Sequence, residues 1–150
     1  MTFFLSRSKI RHPFFPDLAA VPAAEARGRS TALAGTFGEL VRAAARGVEA
    51  RRAVYVLTSM GEFLSDGQRD ELWRLFQVPV YAVLVKRSGG VVAWECEAQN
   101  GLHLAEGTGE SLCACGRPGA RLMPAGYFGD RLHNLEIRPC ISRLCSLSPK

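Results

Sequence analysis

Four residues of types that bind soft metal ions lie close together in the chain. They are Cys96, His103, Cys113 and Cys115, in the order C-x6-H-x9-C-x-C. Cysteine thiolates and a histidine imidazole suit tetrahedral zinc, and four of them complete its coordination without a position for water. Such a site would be structural. The order is not that of a common zinc finger, so the spacing alone also allows unligated thiols and a surface histidine.

The residues around this cluster bear on the same question. Gly101 and Gly116 give the neighbouring loops the backbone freedom to wrap a small ion. Cys140 and Cys145 lie further along the chain and are interpreted as small buried hydrophobic residues rather than ligands. Five cysteines, an odd number, do not suit a secreted disulfide framework, so we expect a cytoplasmic protein.

A second candidate site follows a short apolar run. Residues 53–57 are rich in β-branched and aromatic types and predict a strand buried on both faces. Gly61 and Glu62 come after its carboxyl end, where open α/β sheets place their ligands. A nucleotide or acyl group could dock there, although a turn leading into a helix also needs glycine and a capping acid. No phosphate-binding loop, dinucleotide fingerprint or nucleophile elbow occurs.

Helices and strands that would position these residues alternate along the chain. Hydrophobic periodicity predicts one helix over residues 31–47 and a second from Ser65, its N-cap, to Phe76. Strands are predicted at residues 53–57, 78–85 and 91–97. This order indicates the α/β class, with a mostly parallel sheet flanked by helices and a zinc-bound loop region.

The predicted division of the chain has three parts. Residues 1–30 contain three prolines and are predicted to form an irregular arm, with a short helix near residues 23–27. Residues 31–104 would form the α/β core. Residues 105–150 would hold the zinc-cluster loop and a C-terminal tail.

Composition and charge limit the classes of function. A chain of 150 residues with 47% hydrophobic and 22% charged residues is globular and of single-domain size. No apolar run approaches the roughly 20 residues of a membrane-spanning helix, so we expect no membrane partner. The net charge is +5, but residues 53–112 have more acidic than basic side chains. A continuous basic surface is therefore not expected, and nucleic acid is not a favoured partner.

Two stretches of sequence resemble the phenylacetate–CoA ligases, members of the adenylate-forming acyl-CoA ligase superfamily. Residues 54–104 contain GE-x-L-S, R-x-E-L, F-x-V-P-V-Y and EC-E-x-x-N-G-L-H in succession. Residues 112–122, LCACGRPGARL, are similar to a later cysteine pair of these enzymes. The resemblance covers about 70 residues and implies that the core is a fragment of the ligase N-terminal domain.

The resemblance carries implications for both candidate sites. It places Gly61 and Glu62 on the loop that lines the adenine side of the nucleotide pocket. It places Cys96, His103, Cys113 and Cys115 on a zinc-binding cluster that some members of the family have. The implied cofactors are therefore a structural zinc ion and, in a complete enzyme, ATP or AMP.

The sequence also departs from the family at its catalytic motifs. Family members follow the P-V-Y strand with a tyrosine-glycine-x-threonine-glutamate motif, and residues 84–88 here are LVKRS. The carboxylate that holds magnesium is therefore missing. The phosphate-binding loop and the lysine-bearing C-terminal domain have no counterpart, so ATP or AMP binding by this chain alone is not favoured.

The leading hypothesis is a truncated, non-catalytic ligase-like protein with a structural zinc, which acts by binding a partner or ligand. A partner subunit or a second copy would cover exposed edges of the sheet. One alternative is a subunit of a split acyl-CoA ligase, with Lys86 and Arg87 contacting phosphates. The other is a zinc-containing module that binds nucleic acid.

Overall fold

The fold was analysed in a computed structural model, which describes residues 2–5, 18–59, 61–99, 101–105, 113–116, 121–124 and 135–138. The chain divides into two compact units, Met1–Val91 and Val92–Lys150. The first is an α/β unit, and the second contains an antiparallel sheet and the Cys/His cluster. The three-part division predicted from the sequence stays a prediction.

The described part of the first unit has five strands and two helices. In chain order they are β1 (Thr2–Phe4), β2 (Leu18–Ala20), β3 (Arg29–Gly35), α1 (Phe37–Ala45), β4 (Glu49–Ser59), α2 (Asp66–Phe76) and β5 (Val80–Val85). The strands lie in the order β2-β1-β3-β4-β5, and every neighbouring pair is parallel. The α/β class and the parallel sheet are therefore confirmed.

Both helices begin at a capping box. At the start of α1, the Thr36 N–H donates to Glu39 Oε2 at 2.8 Å, and the Glu39 N–H donates to Thr36 Oγ1 at 3.4 Å. Ser65 and Gln68 make the same exchange at the start of α2, both at 3.2 Å. These bonds satisfy backbone donors that have no partner within the helix. The predicted helix from Ser65 to Phe76 is confirmed.

The core of the first unit lies between the helices and one face of the sheet. Helices α1 and α2 contact each other and contribute to one buried cluster, so they lie on the same face of the sheet. The buried residues of this layer come from both helices and three strands: Leu40, Ala43, Leu72, Phe76, Leu33, Val54, Val56 and Val80. This unit therefore has an apolar core of its own.

The first part of the chain differs from its prediction. The helix predicted over residues 31–47 begins only at Phe37, because residues 29–35 pair in parallel with β1 and β4 as strand β3. The predicted irregular arm contains β1 and β2. In place of the predicted helix near residues 23–27 there is a turn, in which the Glu25 and Ala26 N–H groups donate to the Pro22 carbonyl.

The boundary between the two units falls after Val91, the first residue of β6 (Val91–Glu95), so the rest of this strand belongs to the second unit. Its other described strands are β7 (Leu102–Leu104), β8 (Arg121–Pro124) and β9 (Leu135–Arg138). Each pairs antiparallel with the next, and Trp94 of β6 lies opposite His103 of β7. The strand predicted at residues 91–97 is confirmed and ends two residues earlier.

None of the helices among the described residues is long and apolar enough to cross a membrane. Cys140 and Cys145 lie outside the described residues, so their interpretation stays a prediction.

Candidate metal centre

Three short segments of the second unit bring the four candidate ligands together. Cys96 directly follows β6, and His103 is the central residue of β7. Between them the chain reverses in a turn closed by a 2.9 Å hydrogen bond from the Gln99 N–H to the Cys96 carbonyl. Cys113 and Cys115 lie on a second turn, closed by the Gly116 N–H and the Cys113 carbonyl at 2.8 Å. Both predicted loop glycines, Gly101 and Gly116, have positive φ angles.

Two of the distances between the ligand atoms match a tetrahedral zinc site. Cys96 Sγ lies 3.7 Å from Cys113 Sγ, and Cys115 Sγ lies 3.5 Å from His103 Nε2. All four ligand atoms lie within 4.8 Å of one another. Around a tetrahedral zinc, metal–ligand lengths of about 2.3 Å for sulfur and about 2.05 Å for nitrogen give ligand separations of about 3.8 Å and 3.6 Å. The three cysteines are free thiols rather than disulfide partners.

The cluster is shielded from solvent on most sides. The exposed fractions are 1% for Cys96, 3% for His103 and 5% for Cys113, whereas Cys115 is partly exposed. Burial is the largest cause of a pKa of about 12 for the Cys96 thiol, and the neighbouring Cys113 and Cys115 thiols also raise it. A backbone hydrogen bond at Ala98 acts in the opposite direction and lowers this pKa. A buried thiol of this kind ionises when a cation stabilises the thiolate, as a zinc ion does. The donor set, the distances and the burial together fit a closed structural zinc site.

An aromatic stack fixes the orientation of the histidine. The Trp94 indole lies on the His103 imidazole with ring centroids 4.8 Å apart and planes inclined by 21°. The two residues are opposite each other in the β6–β7 ladder, so strand pairing sets the stack. Groups that hold a ligand ring in place contribute to metal affinity without touching the metal. We therefore expect Trp94 to position the His103 ring. The sequence patterns did not identify this residue, because the pairing register of two short strands was not known.

Replacing Trp94 by alanine is expected to weaken zinc binding. Loss of a stacked pair costs about 0.5–1.5 kcal/mol, which corresponds to a roughly 2–12-fold increase in the zinc dissociation constant. Competition with a chromophoric chelator measures this change. Trp94→Phe keeps a stacking ring and is expected to recover most of the affinity.

Trp73 provides a matched control for the loss of a tryptophan. It lies on α2 in the first unit with 53% of its surface exposed. Trp73→Ala should leave the zinc dissociation constant unchanged. Equal effects of the two alanine variants would contradict the positioning role of Trp94.

The other predicted site residues, Gly61 and Glu62, lie in the first unit. Both are exposed, in a turn at the carboxyl end of β4 that the Glu62 N–H closes with the Ser59 carbonyl at 2.9 Å. Gly61 has a φ of 88°, so the turn itself requires a glycine at this position. Their proposed contact with a nucleotide stays a prediction.

No protein-family model matches this sequence, and no curated protein matches it. The similarity to phenylacetate–CoA ligases is therefore a proposal about the origin of the chain.

Proposed function

We propose that this chain is a zinc-stabilised, non-catalytic binding protein of phenylacetate–CoA ligase ancestry. The observation that carries the zinc assignment is the set of four Cys/His ligand atoms within 4.8 Å of one another, with two pairs at tetrahedral separations and three of the four residues buried. Four protein ligands leave no open position for substrate or water, so the metal supports structure rather than chemistry. Three free thiols in one site fit a reducing cytoplasm.

Several features support a binding role over a catalytic one. Residues 84–88, LVKRS, lack the glutamate that would hold magnesium in a ligase. Gly61 and Glu62 are exposed in a turn rather than enclosed in a pocket. The acidic excess of residues 53–112 gives no reason to propose a nucleic-acid partner.

The proposed contact for a partner or a second copy is the edge strand β2. This strand pairs on one side with β1, and among the described residues no strand pairs with its other side. An open strand edge presents backbone donors and acceptors to another chain. Pairing at β2 would extend the parallel sheet of the first unit.

The proposed function is tested on the purified full-length chain by metal analysis, cobalt substitution and nucleotide titration. We expect about one zinc per chain, a tetrahedral cobalt spectrum with a sulfur charge-transfer band, and no heat of binding with ATP or AMP. A chain purified without chelator that holds no zinc and takes up none would refute the structural role. Saturable ATP binding would refute the non-catalytic assignment.

One observation favours the split-ligase alternative. Ser59 is opposite Val85 in the β4–β5 ladder, so Glu62 and Lys86 follow neighbouring carboxyl ends at one edge of the sheet. This is the edge at which α/β sheets bind ligands. The alternative predicts ATP–pyrophosphate exchange, driven by a carboxylic acid, once a subunit carrying the missing ligase motifs is added. The absence of exchange with such a subunit would refute the split-ligase alternative.

A further inference from the structure

The four candidate zinc ligands differ sharply in their access to solvent. Cys96, His103 and Cys113 are at most 5% exposed, whereas Cys115 is partly exposed. The turn that carries Cys115 is open on its outer side, since Ala114 and Gly116 are exposed and a Cβ built on Gly116 would meet no atom within 4 Å. A small reagent can therefore approach this cluster at one ligand.

We propose that Cys115 is a modification site, at which electrophiles and hydroperoxides react with the zinc centre and release the metal. The inference rests on the proposed zinc function, because zinc holds the cysteine as a thiolate, the nucleophilic form of sulfur. Reactivity at a thiolate follows from its access as well as its charge. The two buried thiolates are shielded from the direct approach that Cys115 allows.

With an alkylating reagent such as iodoacetamide, the reaction is a single displacement. The Cys115 sulfur forms a bond to carbon, the carbon–iodine bond breaks, and iodide leaves with the electron pair. The product is a neutral thioether, a far weaker zinc ligand than a thiolate. Zinc then keeps three protein ligands and one open position, which a competing chelator can occupy.

With a hydroperoxide, the reaction has two steps. The Cys115 thiolate attacks the terminal peroxide oxygen, the oxygen–oxygen bond breaks, and the departing oxyanion takes a proton from water, which leaves a sulfenic acid. A second cluster thiolate then attacks the sulfenic sulfur and expels hydroxide, forming a disulfide. Two thiolates lose two electrons and the peroxide gains them. The ligand atoms lie within 4.8 Å of one another, so the second thiolate is close to the Cys115 sulfur that it attacks.

The order of labelling tests the proposal. The full-length chain carrying Cys140→Ser and Cys145→Ser, loaded with zinc, is treated with substoichiometric iodoacetamide, and the modified cysteine is identified by peptide mass spectrometry. We expect labelling of Cys115 to exceed that of Cys96 and Cys113 by at least about tenfold, with one zinc released for each label. Equal labelling of the three cysteines, first labelling at a buried one, or zinc loss ahead of labelling would overturn the proposal.

A ligand exchange provides the matched variant. Cys115→His keeps four zinc ligands but removes the accessible thiolate, so zinc release by hydrogen peroxide should slow by at least about tenfold. Unchanged release would overturn the proposal, and if this variant does not bind zinc, the labelling order in the parent chain decides. Zinc content is measured before any reagent is added. Absence of zinc defeats the proposed function and this inference together, whereas zinc bound with the wrong labelling order defeats the inference alone.

Discussion

Removing zinc is expected to unfold the second unit, Val92–Lys150, and to leave the first unit folded. Structural zinc sites contribute about 10–16 kcal/mol of binding free energy near neutral pH, which is as large as the whole stability of a typical domain. The second unit has few buried residues among those described: Ala93, Glu95, Cys96, Leu102, His103 and Cys113. Three of them, Cys96, His103 and Cys113, are candidate zinc ligands. Without the metal, little apolar burial is left to hold the short strands β6 and β7 together.

Hydrogen exchange measured by mass spectrometry distinguishes the two units. After treatment with a strong chelator, peptides covering β6 and β7 should lose their protection. Peptides covering β4 should keep it, because that strand packs against the separate core formed by Leu40, Val54 and Leu72. Full protection of β6 and β7 in protein shown to be zinc-free would contradict a structural role for the metal.

Single substitutions should reproduce the effect of the chelator. Cys96→Ser removes a buried ligand and is expected to give the zinc-free exchange pattern even in excess zinc. Trp73→Ala, a substitution on the surface of α2, should leave the pattern of the zinc-loaded protein unchanged. If the second unit remains protected in Cys96→Ser, the other three candidate ligands are sufficient to hold the metal, and this prediction is wrong.

The candidate ligand set could be predicted from the sequence because it depends on residue type and approximate proximity. Thiolates and an imidazole within about 20 residues are unusual enough to suggest zinc without any knowledge of the fold. Trp94 could not be found in this way. Its contact with His103 depends on which residues of two antiparallel strands are opposite each other, and a strand of three residues such as β7 shows no periodicity that fixes a register.

The parallel sheet was predicted where strands are long and buried, and missed where they are short or resemble helix. β4 and β5 contain continuous apolar runs, whereas β1 and β2 have three residues each. The sequence predicts a helix over residues 31–35 of β3 because Leu33, Phe37 and Leu40 recur at helical spacing. Thr36 and Glu39 form the capping box that marks the true start of α1.

The apparent zinc affinity is expected to rise with pH well beyond neutrality. Zinc binds cysteine as thiolate, so uptake near neutral pH displaces up to three thiol protons, and each gives about a tenfold gain in affinity per pH unit. Because zinc removal is expected to unfold the second unit, the thiols that lose these protons are exposed and ionise near pH 8.5, as ordinary cysteines do. The slope should therefore flatten above about pH 9, although burial in a folded second unit raises the pKa of Cys96 to about 12.

The raised pKa of Cys96 also affects the stability of the zinc-free fold, which falls as the pH rises, whereas the zinc affinity increases. A thiol whose pKa is higher in the folded than in the unfolded state stabilises the fold below about pH 9 and loses this contribution as the pH rises toward 12. Chelator competition between pH 6 and 11, with the buffer and metal hydroxide equilibria included, measures the affinity slope. An affinity that keeps rising with its full slope to about pH 11 would contradict the unfolding of the zinc-free second unit, since it would require a thiol that burial keeps protonated.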